Sequence, residues 1–229
     1  MKTAHVSSVI SRLLVFTLVV SLTFGSSALG TTVQASTSDS YRYEFVVNEN
    51  GFTNVVVNYE STARKGWSWV FVPKFSNWSE TVLAGSILQS NFADTENVTG
   101  VDYYFYQVFN FSYTSVGSFR MKIEFNMSVG AFIIEPRGMF YSPQIGFKEG
   151  SNGEANVSLP SDYEIDRNKA LAIGEWNYKP KSVDKNYAFF DLQENLVRLQ
   201  IEFSTSLTTP DLVKLQQGIF TFDAVERYE

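Results

Sequence analysis

Cysteine is absent from the 229-residue chain, and histidine occurs once, as His5. Without cysteine there is no disulfide, no thiolate nucleophile and no thiol redox chemistry. His5 lies in an N-terminal segment that reads as removable, so the remainder has no imidazole either. Ser-His-Asp and Cys-His catalysis and the usual zinc sites depend on those two side chains and are excluded. Positive charge is also scarce: 18 Lys and Arg stand against 24 Asp and Glu, for a net charge of −6. That balance opposes nucleic acid and anionic lipid as partners, since both require clustered Lys and Arg. Gly146, Gly150 and Gly153 lack the Gly-Lys-Ser/Thr continuation of a phosphate loop. No cofactor is expected.

Long apolar runs are missing with one exception, Leu13 to Phe24, twelve residues that follow Lys2 and Arg12. The run is short for a bilayer span and suits the core of a secretory signal. Val33-Gln34-Ala35 places small residues where a signal peptidase needs them, which predicts a signal peptide over residues 1–35 and cleavage before Ser36. Removing Lys2 and Arg12 with that segment takes the net charge from −6 to −8. No second spanning run follows, and the polar end Glu226-Arg227-Tyr228-Glu229 predicts no stable membrane span after cleavage. The expected location is secreted or cell-surface. Five Asn-x-Ser/Thr sequons, at Asn77, Asn97, Asn110, Asn126 and Asn156, fit a glycosylated exterior.

What the chain has in quantity is aromatic residues: 20 Phe, 12 Tyr and 4 Trp. Each one buried removes a large apolar area from water, enough in sum for a core without disulfides. Their spacing is that of half-buried strands. Tyr41, Tyr43, Phe45 and Val47 alternate with polar residues; Asn50-Gly51 supplies a turn; Val55, Val57 and Tyr59 continue. Trp67, Trp69 and Phe71 alternate up to Pro73, which should end the ladder or sit on an edge, and Trp67 and Trp69 are expected in the core. Phe109, Phe111 and Tyr113, then Phe119, Met121, Ile123 and Phe125, read as a central hairpin whose polar partners, Asn110 and Asn126 among them, face outward. Further strands are expected at Ala155–Leu159, Ala170–Ile173, Tyr187–Leu192 and Leu196–Phe203, with Lys148–Glu154 an exposed loop. Thr209-Pro210-Asp211 and Gly218 frame one short helix. The predicted fold is all-β: a single antiparallel β-sandwich domain over residues 36–229, with about ten strands and one short helix.

Several constellations invite chemistry. Ser182-Val183-Asp184-Lys185 has the Ser-x-x-Lys spacing that brings a lysine to a serine across one helical turn, but its surroundings read as a loop entering a strand. Asp162, Glu164, Asp166 and Asn168 alternate like the opening of a calcium loop, yet Arg167 stands where glycine is needed and Ile173 where a bidentate Glu is needed, so the EF-hand is rejected. A looser calcium site on these residues, Asp94 or Glu96 competes with a solvated strand face. Glu124, Glu135, Glu175 and Asp191 are acids available for histidine-free glycoside hydrolysis, which requires two of them across a cleft. Trp78 and Trp176, beside Asn77 and Asn177, are the expected exposed aromatics and candidate ligand contacts.

From Phe132 to Ala172 the order is an apolar strand, Glu135-Pro136-Arg137-Gly138, Met139-Phe140-Tyr141-Ser142-Pro143-Gln144, a loop, then Ala155-Asn156-Val157-Ser158-Leu159-Pro160. This resembles the N-terminal β-domain of aminopeptidase-N-like gluzincin metallopeptidases, exported archaeal forms especially. The resemblance implies a saddle-like sandwich with a scaffolding or substrate-orienting role beside a protease. No His-Glu-x-x-His occurs, so it implies no zinc ligand and no catalytic residue here. The reading favoured is a non-catalytic module, not an enzyme, acting on an extracellular protein or a surface glycan. Carbohydrate-binding or surface-layer association and a carboxylate-dependent hydrolase are its alternatives.

Overall fold

The computed structural model describes residues 39–93 and 105–205. Sixteen strands run through them, and among the described residues there is no helix. They are β1 (Asp39–Val47), β2 (Thr53–Ser61), β3 (Lys65–Pro73), β4 (Trp78–Ala84), β5 (Ser86–Ala93), β6 (Tyr106–Thr114), β7 (Phe119–Met127) and β8 (Ala131–Ile134). Then come β9 (Arg137–Tyr141), β10 (Ile145–Gly146), β11 (Asn152–Ser158), β12 (Glu164–Ile173), β13 (Asn177–Tyr178), β14 (Ser182–Val183), β15 (Tyr187–Leu192) and β16 (Leu196–Ser204). The expected helix near Thr209–Gly218, the segment 1–35 and Asn97 lie outside the described residues.

A seven-stranded sheet has the order β14-β15-β11-β1-β2-β7-β4. All its pairs are antiparallel except β1 with β11, which run parallel from Ser40↔Asn152 to Val46↔Ser158. A six-stranded sheet has the order β13-β12-β16-β9-β8 with β10 beside β16, and a three-stranded sheet the order β3-β6-β5. The seven-stranded sheet forms one layer, and its inner face meets both others. Phe45 lies 5.5 Å from Phe140 of the six-stranded sheet, and Tyr59 lies 5.2 Å from Phe111 of the three-stranded sheet, centroid to centroid. The arrangement is sandwich-like and all-β.

Alternation decides which side chains enter. Tyr41, Tyr43, Phe45 and Val47 of β1 are buried, as are Val55, Val57 and Tyr59 of β2. Each large apolar side chain so buried contributes about 1.5–3 kcal/mol, which stands in for the missing disulfides. Hydroxyls reach across the layers as well: Tyr59 donates to the Tyr113 hydroxyl at 3.1 Å, and Tyr113 donates to Ser61 Oγ at 2.7 Å. Tyr43 donates to the Gly146 carbonyl at 2.6 Å, and Tyr41 shares a hydrogen bond with Ser68.

Four expectations need correction. The strand number is sixteen rather than about ten, because β10, β13 and β14 have two residues each and β8 four, too few to show a period. The edge strands β4 and β5 are mostly exposed, with Trp78 and Ile87 the side chains that pack on the core, so they too lack the alternation that marks a half-buried strand.

The central hairpin is not a hairpin. The inward residues are as expected, with Phe111 at 2%, Met121 at 1% and Ile123 at 0% exposure, but β6 pairs with β3 and β5 while β7 pairs with β2 and β4. The chain turns a corner at Ser115–Ser118, so the two apolar faces oppose one another; the Tyr113 and Phe119 rings stack at 4.3 Å. Strand periodicity assigns faces, and it is silent on which edges pair.

Trp67 and Trp69 face outward, with Trp67 56% exposed and Trp69 half-buried, because β3 turns Ser68, Val70 and Val72 to the core instead. The loop Lys148–Glu154 is shorter than expected: β11 begins at Asn152, and Gly153 is buried where a side chain would run into Phe147.

Candidate functional site

Pairing register builds the outward face of the seven-stranded sheet row by row. One row runs Asp191, Glu154, Arg42, Asn58, Lys122 and Thr81, each the register partner of the next. The neighbouring row runs Asn152, Ser40, Glu60, Arg120 and Ala84. Outward positions recur every second residue, so these two rows lie side by side. Asp191, Glu154, Arg42 and Asn58 of the first row and Asn152, Ser40, Glu60 and Arg120 of the second, together with Leu83, line an open groove of about 520 Å³ that crosses six strands.

Two acids of the groove are paired with cations. Arg42 donates from Nε and Nη2 to Glu154 Oε2 at 3.2 and 3.1 Å, and Lys181 of the segment before β14 reaches Asp191 at 3.4 Å. Beyond the groove, Lys122 pairs with Glu124 at 2.8 Å. All of these side chains are at least a third exposed, so each pair is worth little stability and chiefly sets the pattern of sign that the face presents. Arg42, Glu154 and Lys181 were not legible as site residues. Arg42 reaches Glu154 through the parallel pairing of β1 and β11, segments about a hundred residues apart, which no local pattern announces, while Lys181 meets Asp191 beside the antiparallel β14–β15 pair.

The four candidate carboxylates do not converge. Glu124 is on β7, Glu135 at the β8–β9 turn, Glu175 at the β12–β13 turn and Asp191 on β15. Asp191 and Glu124 are four strand spacings apart, roughly 19 Å, against the roughly 5–10 Å that glycoside hydrolysis requires. The acid adjacent to Asp191 is Glu154, its register partner, and each of the two is held by its own cation.

Ser182 lies on a strand, so no helical turn carries Lys185 to it, and Lys185 Nζ instead donates to the Ser161 carbonyl at 2.9 Å. Among the described residues no three His, Cys, Asp or Glu side chains cluster to hold a metal ion. Asp166 accepts from the Asn168 amide at 2.9 Å at the irregularity of β12, and Asp94 and Glu96 lie outside the described residues.

Trp78 is half-buried: its ring packs 5.0 Å from Phe109 and 5.9 Å from Phe92, closing the sandwich between β4 and β5. The expectation of an exposed Trp78 is corrected, since β4 points it inward beside Phe125. Trp176 is 71% exposed at the β12–β13 turn. The Glu194 carboxylate holds that turn, accepting from the amides of Glu175 at 2.6 Å and Trp176 at 3.0 Å. Asn77 and Asn126 are exposed. Asn156 is half-buried on β11 and accepts from the Tyr187 hydroxyl at 2.7 Å, and Asn110 is half-buried in the middle strand of the three-stranded sheet.

That third sheet presents a different outward surface. Trp67 is partnered with Ser112 and Ser112 with Gln89; Trp69 is partnered with Asn110 and Asn110 with Asn91. The Lys148 ammonium sits 4.8 Å from the Trp67 ring centroid and 3.5 Å from Asp39. Trp69 packs edge-on against Phe71 at 5.2 Å.

No protein-family model and no curated protein matches the sequence. Among solved structures there is weak similarity to aminopeptidase-N-like M1 metallopeptidases. The M1 zinc metallopeptidase of Deinococcus radiodurans aligns at 10% identity and TM-score 0.32, over 72% of this chain and 41% of its own. An aminopeptidase N family protein of Idiomarina loihiensis aligns at 10% identity and TM-score 0.35, over 72% and 29%. A proposed nutrient-binding protein of Legionella pneumophila gives 8% identity and TM-score 0.36, over 71% and 65%. The chain thus spans less than two thirds of the length of each. Likeness at this level transfers no activity, partner or site residue to this chain.

Proposed function

We propose that this chain is an exported, non-catalytic β-sandwich module that holds a protein partner outside the cell through the charged outer face of its seven-stranded sheet. The observation that carries this reading is the groove across that face, where Arg42–Glu154 and Lys181–Asp191 are paired side by side. The two adjacent acids of the groove, Glu154 and Asp191, are each held by a cation rather than facing one another across a cleft. Mixed signs spread over a broad, solvated face suit the complementary charges of another protein, which fix register and orientation.

The compartment belongs to the same proposal. Export rests on Leu13–Phe24 and Val33-Gln34-Ala35, and glycosylation on the sequons whose asparagines are exposed, Asn77 and Asn126. Among the described residues no helix is long and apolar enough to cross a membrane. The resemblance through Glu135-Pro136-Arg137-Gly138, to the N-terminal β-domain of exported archaeal gluzincins, names one partner class, a peptidase domain.

Crosslinking in the native extracellular fraction, followed by mass spectrometry, tests the assignment. Crosslinks to the partner are expected at Lys122 and Lys181, with exported material beginning at Ser36. Crosslinks confined to Lys65 and Lys74 contradict it. So does glycan hydrolysis that is lost in Glu154→Gln or Asp191→Asn.

A further inference from the structure

We propose that the outward face of the three-stranded sheet is a second site, separate from the charged groove, and that it binds a neutral oligosaccharide. The six residues of its two central rows are Trp67, Ser112, Gln89, Trp69, Asn110 and Asn91, and none carries a charge. This sets the face apart from the seven-stranded sheet, where charges of both signs fill the rows. A pyranose ring offers apolar C–H faces and a rim of hydroxyls that both donate and accept hydrogen bonds. Indole rings match the first, and side-chain amides and hydroxyls match the second.

Two further observations point the same way. The polar groups are uncommitted: no hydrogen bond joins the side chains of Gln89, Asn91, Asn110 or Ser112 to another described residue, so their donors and acceptors are open to a ligand. The indoles, by contrast, are held in place. Lys148 sits over one side of Trp67 at 4.8 Å while the residue remains 56% exposed, and Trp69 is braced by Phe71 at 5.2 Å. An immobilised aromatic loses little freedom on binding, which favours affinity. Three strands give a platform about 10 Å across, wide enough for sugar rings laid over the middle strand. A nucleic acid would need basic side chains, and the central rows have none.

Asn110 lies in a sequon, so the test uses the full chain made in a host that attaches no N-glycans. Native gel electrophoresis is run with hydroxyethylcellulose, galactomannan or xyloglucan in the gel. Retarded migration is expected with at least one of them. Trp67→Ala, and separately Gln89→Ala combined with Asn91→Ala on the exposed edge strand, should each weaken retardation at least fivefold with unchanged thermal melting. Glu164→Gln, on another sheet, should leave it intact. Retardation by none of the three polysaccharides overturns the proposal, as does retardation that survives both sets of substitutions. Neither result bears on the Lys122 and Lys181 crosslinks, so the two proposals fail separately.

Discussion

Met121 and Lys122 are chain neighbours with opposite surroundings. Met121 is 1% exposed among the rings of the core, and Lys122 points outward to Glu124. Met121→Asp should therefore lose about 3–5 kcal/mol through lost packing and an unpaired buried charge. Lys122→Asp removes only a solvated pair and should stay within about 1 kcal/mol. Urea unfolding of the two variants measures the difference, and equal midpoints would contradict the facing of β7. The tyrosines add a pH dependence. Burial pushes the Tyr41 phenol from its ordinary 10.0 up to about 12, with the Ser68 hydrogen bond offsetting part of the rise, and it raises Tyr43 and Tyr59 as well. The folded state thus favours the protonated phenol. Its contribution is complete below pH 10.0 and is lost as pH rises through about 12. Unfolding free energy should fall across that window, less steeply in Tyr41→Phe, and a flat profile in the parent protein would refute the burial effect.

At the scale of elements, glycine decides where strands can turn. Gly51 in the β1–β2 loop has φ +82°, and a side chain there would strike the Ala131 carbonyl oxygen. Gly51→Ala should cost about 1–3 kcal/mol. Gly117 in the β6–β7 corner has open space around it, so Gly117→Ala should leave the melting temperature nearly unchanged. Gly85, φ +85°, lets the chain pass from β4 in one sheet to β5 in another with no intervening loop. Strands with one buried face were legible in sequence: β15 coincides with the expected Tyr187–Leu192, and β16 exceeds its expected range by one residue. What escaped was pairing and the edges. The Phe109–Phe125 pattern serves a hairpin and two facing sheets equally well, and β4 and β5 carry no alternation. The site was less legible than the fold. Asp191 could be named as a candidate acid, but Glu154 joins it through the β11–β15 pairing and Arg42 through the parallel β1–β11 pairing, both long-range. On β3 the large Trp67 and Trp69 draw the eye to the wrong face, since the smaller Ser68 and Val70 are the ones buried.

For the whole molecule, one layer carries both the core and the charged face. The same alternation that buries Tyr41, Tyr43 and Tyr59 turns Arg42, Asn58 and Glu60 to solvent, so the inner packing fixes the positions of the outer charges. The sign pattern of that face can thus be changed without touching the core. The central claim is that this pattern recognises a protein, and its most direct test exchanges the partners of the cross-strand ion pair. In the double variant Arg42→Glu with Glu154→Arg, the bridge persists with its polarity reversed, so the melting temperature should be nearly that of the parent. Crosslinking capture of the extracellular partner should nevertheless fall at least tenfold. Undiminished capture by this stable double variant would contradict the account.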